Sequence, residues 1–146
     1  EWAAKQRAEC DELKSASNGE VRALIKNNDY EFKKNLDNYK YSIRFPEKSM
    51  QEYRQDGEVF LQQLEDRLTN DYLFGNTISF ADLAIFPFVR QFAFVDKAWF
   101  DSASYIRLQA WLARCLASQE FQSIMIKYPE WVVDRSQRIF FGGEFK

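Results

Sequence analysis

Residues 72–84 read YLFGNTISFADLA, and this stretch contains the stronger of two capping-box motifs in the chain. Ser79 stands where an N-cap is expected, and Asp82 occupies the third helical position, from which its carboxylate can accept from the N-cap amide. Ile78 precedes the cap and can pack on Leu83 as a hydrophobic staple. We therefore predict that a helix begins after Ser79, and we assign these four residues to structure rather than to catalysis.

The helix predicted after this cap is apolar around its whole circumference and runs to about Phe94. Its apolar residues are Phe80, Leu83, Ala84, Ile85, Phe86, Phe88, Val89 and Phe92. A helix that is apolar on every side is normally buried on every side. The sequence therefore predicts a central helix that the rest of the chain surrounds.

An amphipathic helix is predicted well ahead of the central one. Asn28 and Asp29 are capping residue types, and Pro46 ends the helix that would follow them, because a proline disfavours helical geometry in the residue before it. The apolar positions between these limits are spaced by four, three and four residues and form one buried stripe. They are Phe32, Leu36, Tyr39 and Ile43.

A second amphipathic helix opens at Ser49 and Glu52, which fit a capping box. Its apolar stripe consists of Met50, Tyr53, Gly57, Phe60, Leu64 and Leu68. A glycine inside a helix costs about 1 kcal/mol relative to alanine, so we interpret Gly57 as a point where another helix crosses closely.

Helical patterns continue after the central helix, where Tyr105, Leu108, Leu112 and Cys115 share one side of a further segment. The 146 residues include only five Gly and three Pro, which are too few turn-forming residues for a strand-rich fold. Several amphipathic helices around one capped, buried helix make an all-α bundle. We predict that residues 1–146 form a single domain of this kind.

Composition and charge exclude several classes of function. The 20 basic residues nearly balance the 22 acidic ones and form no basic run, so we expect no nucleic-acid partner. No stretch approaches the ~20 apolar residues that span a bilayer, and no signal peptide is evident. Cys10 and Cys115 lie far apart and are expected to be reduced thiols. We therefore expect a cytoplasmic location and no membrane association.

The chain contains no histidine. This absence removes the commonest general base, the commonest zinc ligand and every nucleophile pair that needs an imidazole. No Asp or Glu stands in an apolar context that would raise its pKa. We therefore predict no metal site and no self-sufficient catalytic site in this chain.

The ordered series of motifs resembles the C-terminal domain of bacterial glutathione transferases. In that family a leucine-X-glycine loop precedes a Ser/Thr-X-Ala-Asp cap that opens the core helix, as residues 72–92 do here. Residues 36–41 with Arg44 resemble the end of the first long helix of that domain. Two later stretches, 111–113 and 125–131, resemble its later helices.

The resemblance implies a partner that this sequence does not match. The family chain starts with a thioredoxin-like domain of about 80 residues, an ordinary size for a small domain, which supplies most glutathione contacts and the catalytic Tyr, Ser or Cys. We expect the chain to lack this domain and to be inactive alone. Glutathione is then the co-substrate of the full chain, which conjugates its thiolate to electrophiles. The helical domain would form the wall of the electrophile pocket and much of a homodimer contact.

Three residues are candidates for that pocket: Tyr39, Tyr41 and Arg90. A tyrosine offers an apolar ring with a hydroxyl, and an arginine offers a charge for an anionic ligand. Tyr39 also falls on the apolar stripe, which favours a place in the core. Arg90 can equally pair with Asp96 or with another carboxylate.

The alternative function is a non-catalytic interaction module. Domains resembling this one are attached to translation factors and aminoacyl-tRNA synthetases, and occur in a stringent-starvation regulator that binds RNA polymerase. The near-neutral charge slightly disfavours a domain that is attached to a translation factor or a synthetase. Removal of the thioredoxin-like domain would leave an apolar surface bare, and we therefore expect the isolated chain to self-associate.

Overall fold

The computed structural model describes residues 19–124, and their structure consists of helices joined by short connections. The helices are α1 (Gly19–Asn27), α2 (Lys33–Lys40), α3 (Met50–Arg67), α4 (Phe80–Ala93), α5 (Lys97–Ser102), α6 (Ile106–Ala117) and α7 (Gln119–Ile124). Over this range no β-strand forms, and the only strand-like pairing is an isolated bridge between Tyr72 and Gly75. The all-α prediction is confirmed. The segments predicted before residue 19 and after residue 124 lie outside the described residues.

The first long helix does not begin at Asn28, so the cap predicted there is wrong. The helix is continuous from α1 to α2 through a π-helical turn, Asn28–Phe32, in which the Lys33 amide donates to the Asn28 carbonyl. Asn28 is fully buried, and its side-chain amide donates to the Asp29 carboxylate 3.0 Å away. Because the wider turn accommodates an extra residue, Leu24 before it and Phe32 after it both stay in the core.

Ile43 does not continue the buried stripe, contrary to the prediction. Helix α2 ends at Lys40, and the chain passes through Tyr41 into a 3₁₀ turn, Ser42–Arg44. The helical spacing therefore no longer applies at residue 43, and the Ile43 side chain is 97% exposed. Phe32, Leu36 and Tyr39 are buried as predicted.

Helix α3 begins at the predicted capping box and packs against α2 and α6. A Cβ atom added to Gly57 would lie 2.3 Å from the Phe92 ring, so any side chain there would require this buried ring to shift. A side chain of α4 meets the glycine, so the close helix crossing predicted at Gly57 stays a prediction. Met50, at the first turn, is 39% exposed and does not join the stripe.

Helix α4 contacts α1, α2 and α6, and its inner side forms the core. Ile85, Val89 and Phe92 are fully buried there. The Phe92 ring lies 5.3 Å from that of Phe32 and 4.8 Å from that of Tyr39, within the range of favourable aromatic pairs. Within residues 19–124, no helix combines the length and the apolar character needed to cross a membrane.

Candidate functional site

The predicted cap at the start of α4 has the geometry of a capping box. The Ser79 hydroxyl accepts from the Asp82 amide at 3.4 Å, and the Asp82 carboxylate accepts from the Ser79 amide at 2.8 Å. The second carboxylate oxygen accepts from the Leu73 amide at 3.0 Å and from the Trp111 indole at 2.7 Å. Asp82 is fully buried, so its oxygens are committed to holding the loop and α6 against the helix start.

The predicted staple beside this cap involves surface residues. Ile78 is 44% exposed and Leu83 is 53% exposed. Packing between them stays a prediction, and their exposure shows that this end of α4 has one open side.

A second interhelical cap has no counterpart in the sequence analysis. Glu65 of α3 is 6% exposed, and its carboxylate accepts from the amides of Arg107 and Leu108 at 3.1 and 2.7 Å. These amides begin α6, whose own N-cap, Tyr105, makes no side-chain capping bond. A carboxylate at a helix N-terminus is stabilised by the helix dipole. No local pattern could have shown this, because 42 positions separate Glu65 from Arg107.

The outer side of α4 is apolar and exposed, which corrects the prediction that this helix is buried on every side. Phe80, Leu83 and Phe94 are 55%, 53% and 52% exposed, and Pro87 is exposed with them. Spacings of three, four and seven residues place these four side chains along one face of the helix. We call this set the outer strip. The helix is therefore central to the core on one side and open on the other.

Tyr39 lies in the core rather than at an open surface. Its side chain is 1% exposed, and its hydroxyl makes no hydrogen bond within the described residues. Burial raises the pKa of this hydroxyl, and the nearby Arg54 guanidinium opposes that rise. The structure thus favours the core interpretation, and contact between Tyr39 and a substrate stays a prediction.

Tyr41 lies at the surface where α2 ends, and it is 39% exposed. The Lys40 ammonium is 5.1 Å from its ring centroid, and the Arg44 guanidinium is 4.9 Å from it. Lys40 also donates to the Gln91 side chain of α4 at 3.3 Å. The end of α2 and the second half of α4 therefore share one polar, aromatic surface.

Arg90 lies on α4 between two aromatic rings. Its guanidinium is 5.2 Å from the Phe94 ring and 5.5 Å from the Phe121 ring. In the described part of the chain it forms no ion pair, so the predicted pairing with Asp96 is not found, and its Nε atom is buried without an acceptor. No hydrogen bond or ring contact there joins Arg90 to Tyr39 or Tyr41, so the three candidates do not form one cluster.

The ionisable groups in the core are poor nucleophiles and bases at neutral pH. Burial, reinforced by the charge of Asp82, raises the pKa of the free Cys115 thiol to about 12. Burial next to Glu58 likewise raises the pKa of Tyr105 to about 12. Across residues 19–124, no group of three or more acidic or cysteine side chains could hold a metal ion.

Comparison with known proteins identifies the type of domain. Residues 47–114 match the family model described as glutathione S-transferase, C-terminal domain. This segment includes both capping boxes and the whole central helix. No curated protein and no solved structure matches the chain. Over residues 47–114 the chain is therefore similar to this helical domain, as the resemblance indicated.

Proposed function

We propose that this domain forms the electrophile-binding wall and the inter-domain contact of a glutathione transferase. The full chain would conjugate the glutathione thiolate to an electrophile. The observation that carries the proposal is the outer strip, which is exposed on a helix whose opposite side forms the core. Contiguous exposed apolar surface is typical of a contact site. The resemblance to glutathione transferases implies a thioredoxin-like partner domain, and in this proposal the outer strip is the surface that contacts it.

In this proposal the two domains divide the chemistry. The thioredoxin-like domain holds glutathione and activates its thiol, since Cys115 and Tyr105 titrate too high to do so at neutral pH. The helical domain shapes the pocket for the electrophile. Tyr41 is the best placed of the three candidates because it is 39% exposed, whereas Tyr39 is buried and the Arg90 guanidinium lies against the Phe94 ring of the outer strip.

The first test is the natural gene product. We expect an intact mass larger than that of residues 1–146 by a thioredoxin-like domain of about 80 residues. We also expect the whole protein to conjugate glutathione to a nitro-activated aryl chloride, forming a C–S bond and releasing chloride. A natural chain that begins near Glu1 and does not react would contradict the proposal.

The outer strip can be tested directly in that whole protein. Leu83→Lys places a charge in the proposed domain contact, and conjugation should fall by at least about tenfold, because a buried unpaired charge is costly. Val59→Lys is the matched control, since Val59 is 75% exposed on α3. Equal activities of the two variants would exclude the outer strip as the domain contact.

A non-catalytic interaction module is the second candidate function. The same outer strip supports it, because an apolar patch can contact a separate protein as well as a domain of its own chain. Calorimetry with glutathione separates the two candidates. A whole natural protein that folds but binds no glutathione would favour the module, and micromolar or tighter binding would favour the enzyme.

We also propose that the whole protein is a homodimer. A groove of about 410 Å³ lies along α2, and Tyr30, which is 70% exposed, lines it. Lys33, Lys34 and Asp37 line the same groove and bring both signs of charge, which suits a self-complementary contact between two copies. Light scattering should give twice the chain mass, and Tyr30→Glu should lower it. A monomeric wild type would refute the homodimer.

A further inference from the structure

The surface around Tyr41 combines two positive charges with exposed apolar side chains. Lys40 and Arg44 both lie about 5 Å from the same tyrosine ring, at 5.1 and 4.9 Å. Ile43, between them in the chain, is 97% exposed. Gln91 of α4 accepts from Lys40 and fixes the position of its ammonium group. We call these five residues the Tyr41 cluster.

Neither cation of the Tyr41 cluster has a carboxylate partner in the described part of the chain. Six other cations there do have one, whereas Arg90 and several lysines do not; the six are Lys48, Arg54, Arg67, Lys97, Arg107 and Arg114. Two like charges that converge on one ring repel each other, and an anion placed between them would remove that repulsion. An exposed lysine such as Lys26 lacks this arrangement, because no second cation or ring lies against it.

Stabilisation of the helix end explains only part of this arrangement. A cation in the last turn interacts favourably with the helix dipole, which accounts for Lys40. Arg44 lies beyond the end of α2, in the 3₁₀ turn, and the dipole falls off within the last turn. Nor does the dipole account for the exposure of Ile43, an apolar residue that gains nothing from contact with water.

We infer that the Tyr41 cluster recognises the anionic group of an aromatic electrophile, so that the preferred second substrate carries a carboxylate or a sulfonate. This inference rests on the proposed transferase function. Arg44 presents the planar fork of donors that matches a carboxylate, and Lys40 adds a point charge. Tyr41 and Ile43 offer apolar contact to the rest of the substrate, and the partner domain closes the site from the other side.

The test compares two aryl chlorides of similar shape, the anionic 4-chloro-3-nitrobenzoate and the neutral 4-chloro-3-nitrobenzamide. The whole natural protein with glutathione should show a kcat/KM about tenfold higher for the benzoate, after correction for the uncatalysed rates. Arg44→Gln and Lys40→Gln should each remove most of that preference, since a charge-assisted hydrogen bond is worth roughly a factor of ten. Turnover of the benzamide should change by less than about twofold. Lys26→Gln is the control and should keep the preference.

Each outcome decides between the inference and the function beneath it. Turnover of both compounds with no preference that Arg44→Gln alters would overturn the inference and leave the transferase function standing. Equal loss of both activities in Arg44→Gln would assign the cluster to glutathione binding or to the domain contact, and would also overturn it. Turnover of neither compound, in a protein that reacts with no other aryl chloride, would remove the proposed function and the inference together. Circular dichroism of each variant checks the fold.

Discussion

The two capping boxes of this domain use the same local geometry in opposite surroundings. At the start of α3, Ser49 and Glu52 form two reciprocal hydrogen bonds, and both residues are exposed to solvent. At the start of α4, Ser79 and Asp82 exchange the same bonds, but Asp82 is fully buried. It also accepts from the Leu73 amide and the Trp111 indole.

The difference shows how one motif serves two purposes. The exposed box satisfies amides that water could also satisfy, so it contributes modestly to the helix alone. The buried box ties three parts of the chain to one carboxylate, at a place where an unsatisfied donor costs its full desolvation penalty. The second box therefore matters to the whole domain, and four measurements can sharpen or break this comparison.

The largest effect is expected for Asp82→Ala. The Leu73 amide, the Ser79 amide and the Trp111 indole would all lose their acceptor. We expect a loss of about 4 kcal/mol in the free energy of unfolding, or failure to fold. Urea denaturation measures it, with Glu52→Ala as the control that removes only the local bonds. Similar losses in the two variants would mean that the buried bonds contribute nothing beyond a cap.

Trp111→Phe isolates the bond between α6 and the cap. The ring contact with Phe86 can persist, but the indole donor to Asp82 is removed and a small cavity remains. We expect the free energy of unfolding, measured by thermal denaturation, to fall by about 2 kcal/mol. Trp99→Phe, at a half-buried tryptophan whose ring lies against Arg54, is the control and should cost less. A larger loss of stability in Trp99→Phe than in Trp111→Phe would contradict the importance of the hydrogen bond between Trp111 and Asp82.

Replacing each N-cap serine compares the two boxes at the same chemical change. Ser79→Ala should cost about 1.5 kcal/mol, and Ser49→Ala should cost about 0.5 kcal/mol, because water replaces the lost bond only at the exposed site. Both values come from chemical denaturation at neutral pH. A larger cost at Ser49 would contradict the distinction between the boxes.

The smallest effect is in the titration of Glu52. Its bonds from the Ser49 amide and hydroxyl lower the pKa of this carboxyl below the ordinary value of 4.5. A lowered folded-state pKa means that Glu52 contributes stability above its unfolded pKa and loses it as the pH falls through the folded one. In an NMR titration, Ser49→Ala should move the pKa of Glu52 back up towards 4.5. An unchanged pKa would show that the Ser49 hydroxyl does not contribute to the lowering, since the Ser49 amide is retained in the variant.

Much of the fold follows from patterns within one or two turns of the chain. Both boxes were predictable because a cap joins residues three apart, and the stripe of α3 was predictable because helical periodicity repeats there. The π-helical turn at Asn28–Phe32 was not predictable, since the same residue types at 28 and 29 are compatible with a helix start and with a π-helical turn. In the structure Asn28 is buried within the continuous helix, where it does not act as an N-cap.

The candidate site was predictable only in part. Tyr41 and its neighbours follow from the resemblance, but the convergence of Lys40 and Arg44 on one ring depends on where α2 ends. The interhelical cap by Glu65 joins segments more than 40 residues apart, and no local pattern carries such a pairing.

The sequence by itself determined the helical class, the two helix starts and the family resemblance, because caps and apolar spacing act over a few residues. Only the tertiary structure decided which apolar side of α4 is core and which is the outer strip. Apolar residues lie on all sides of that helix, so its sequence pattern does not indicate which side faces the core. The buried side is the one against which other helices pack, since burial depends on what contacts a side chain rather than on its own hydrophobicity.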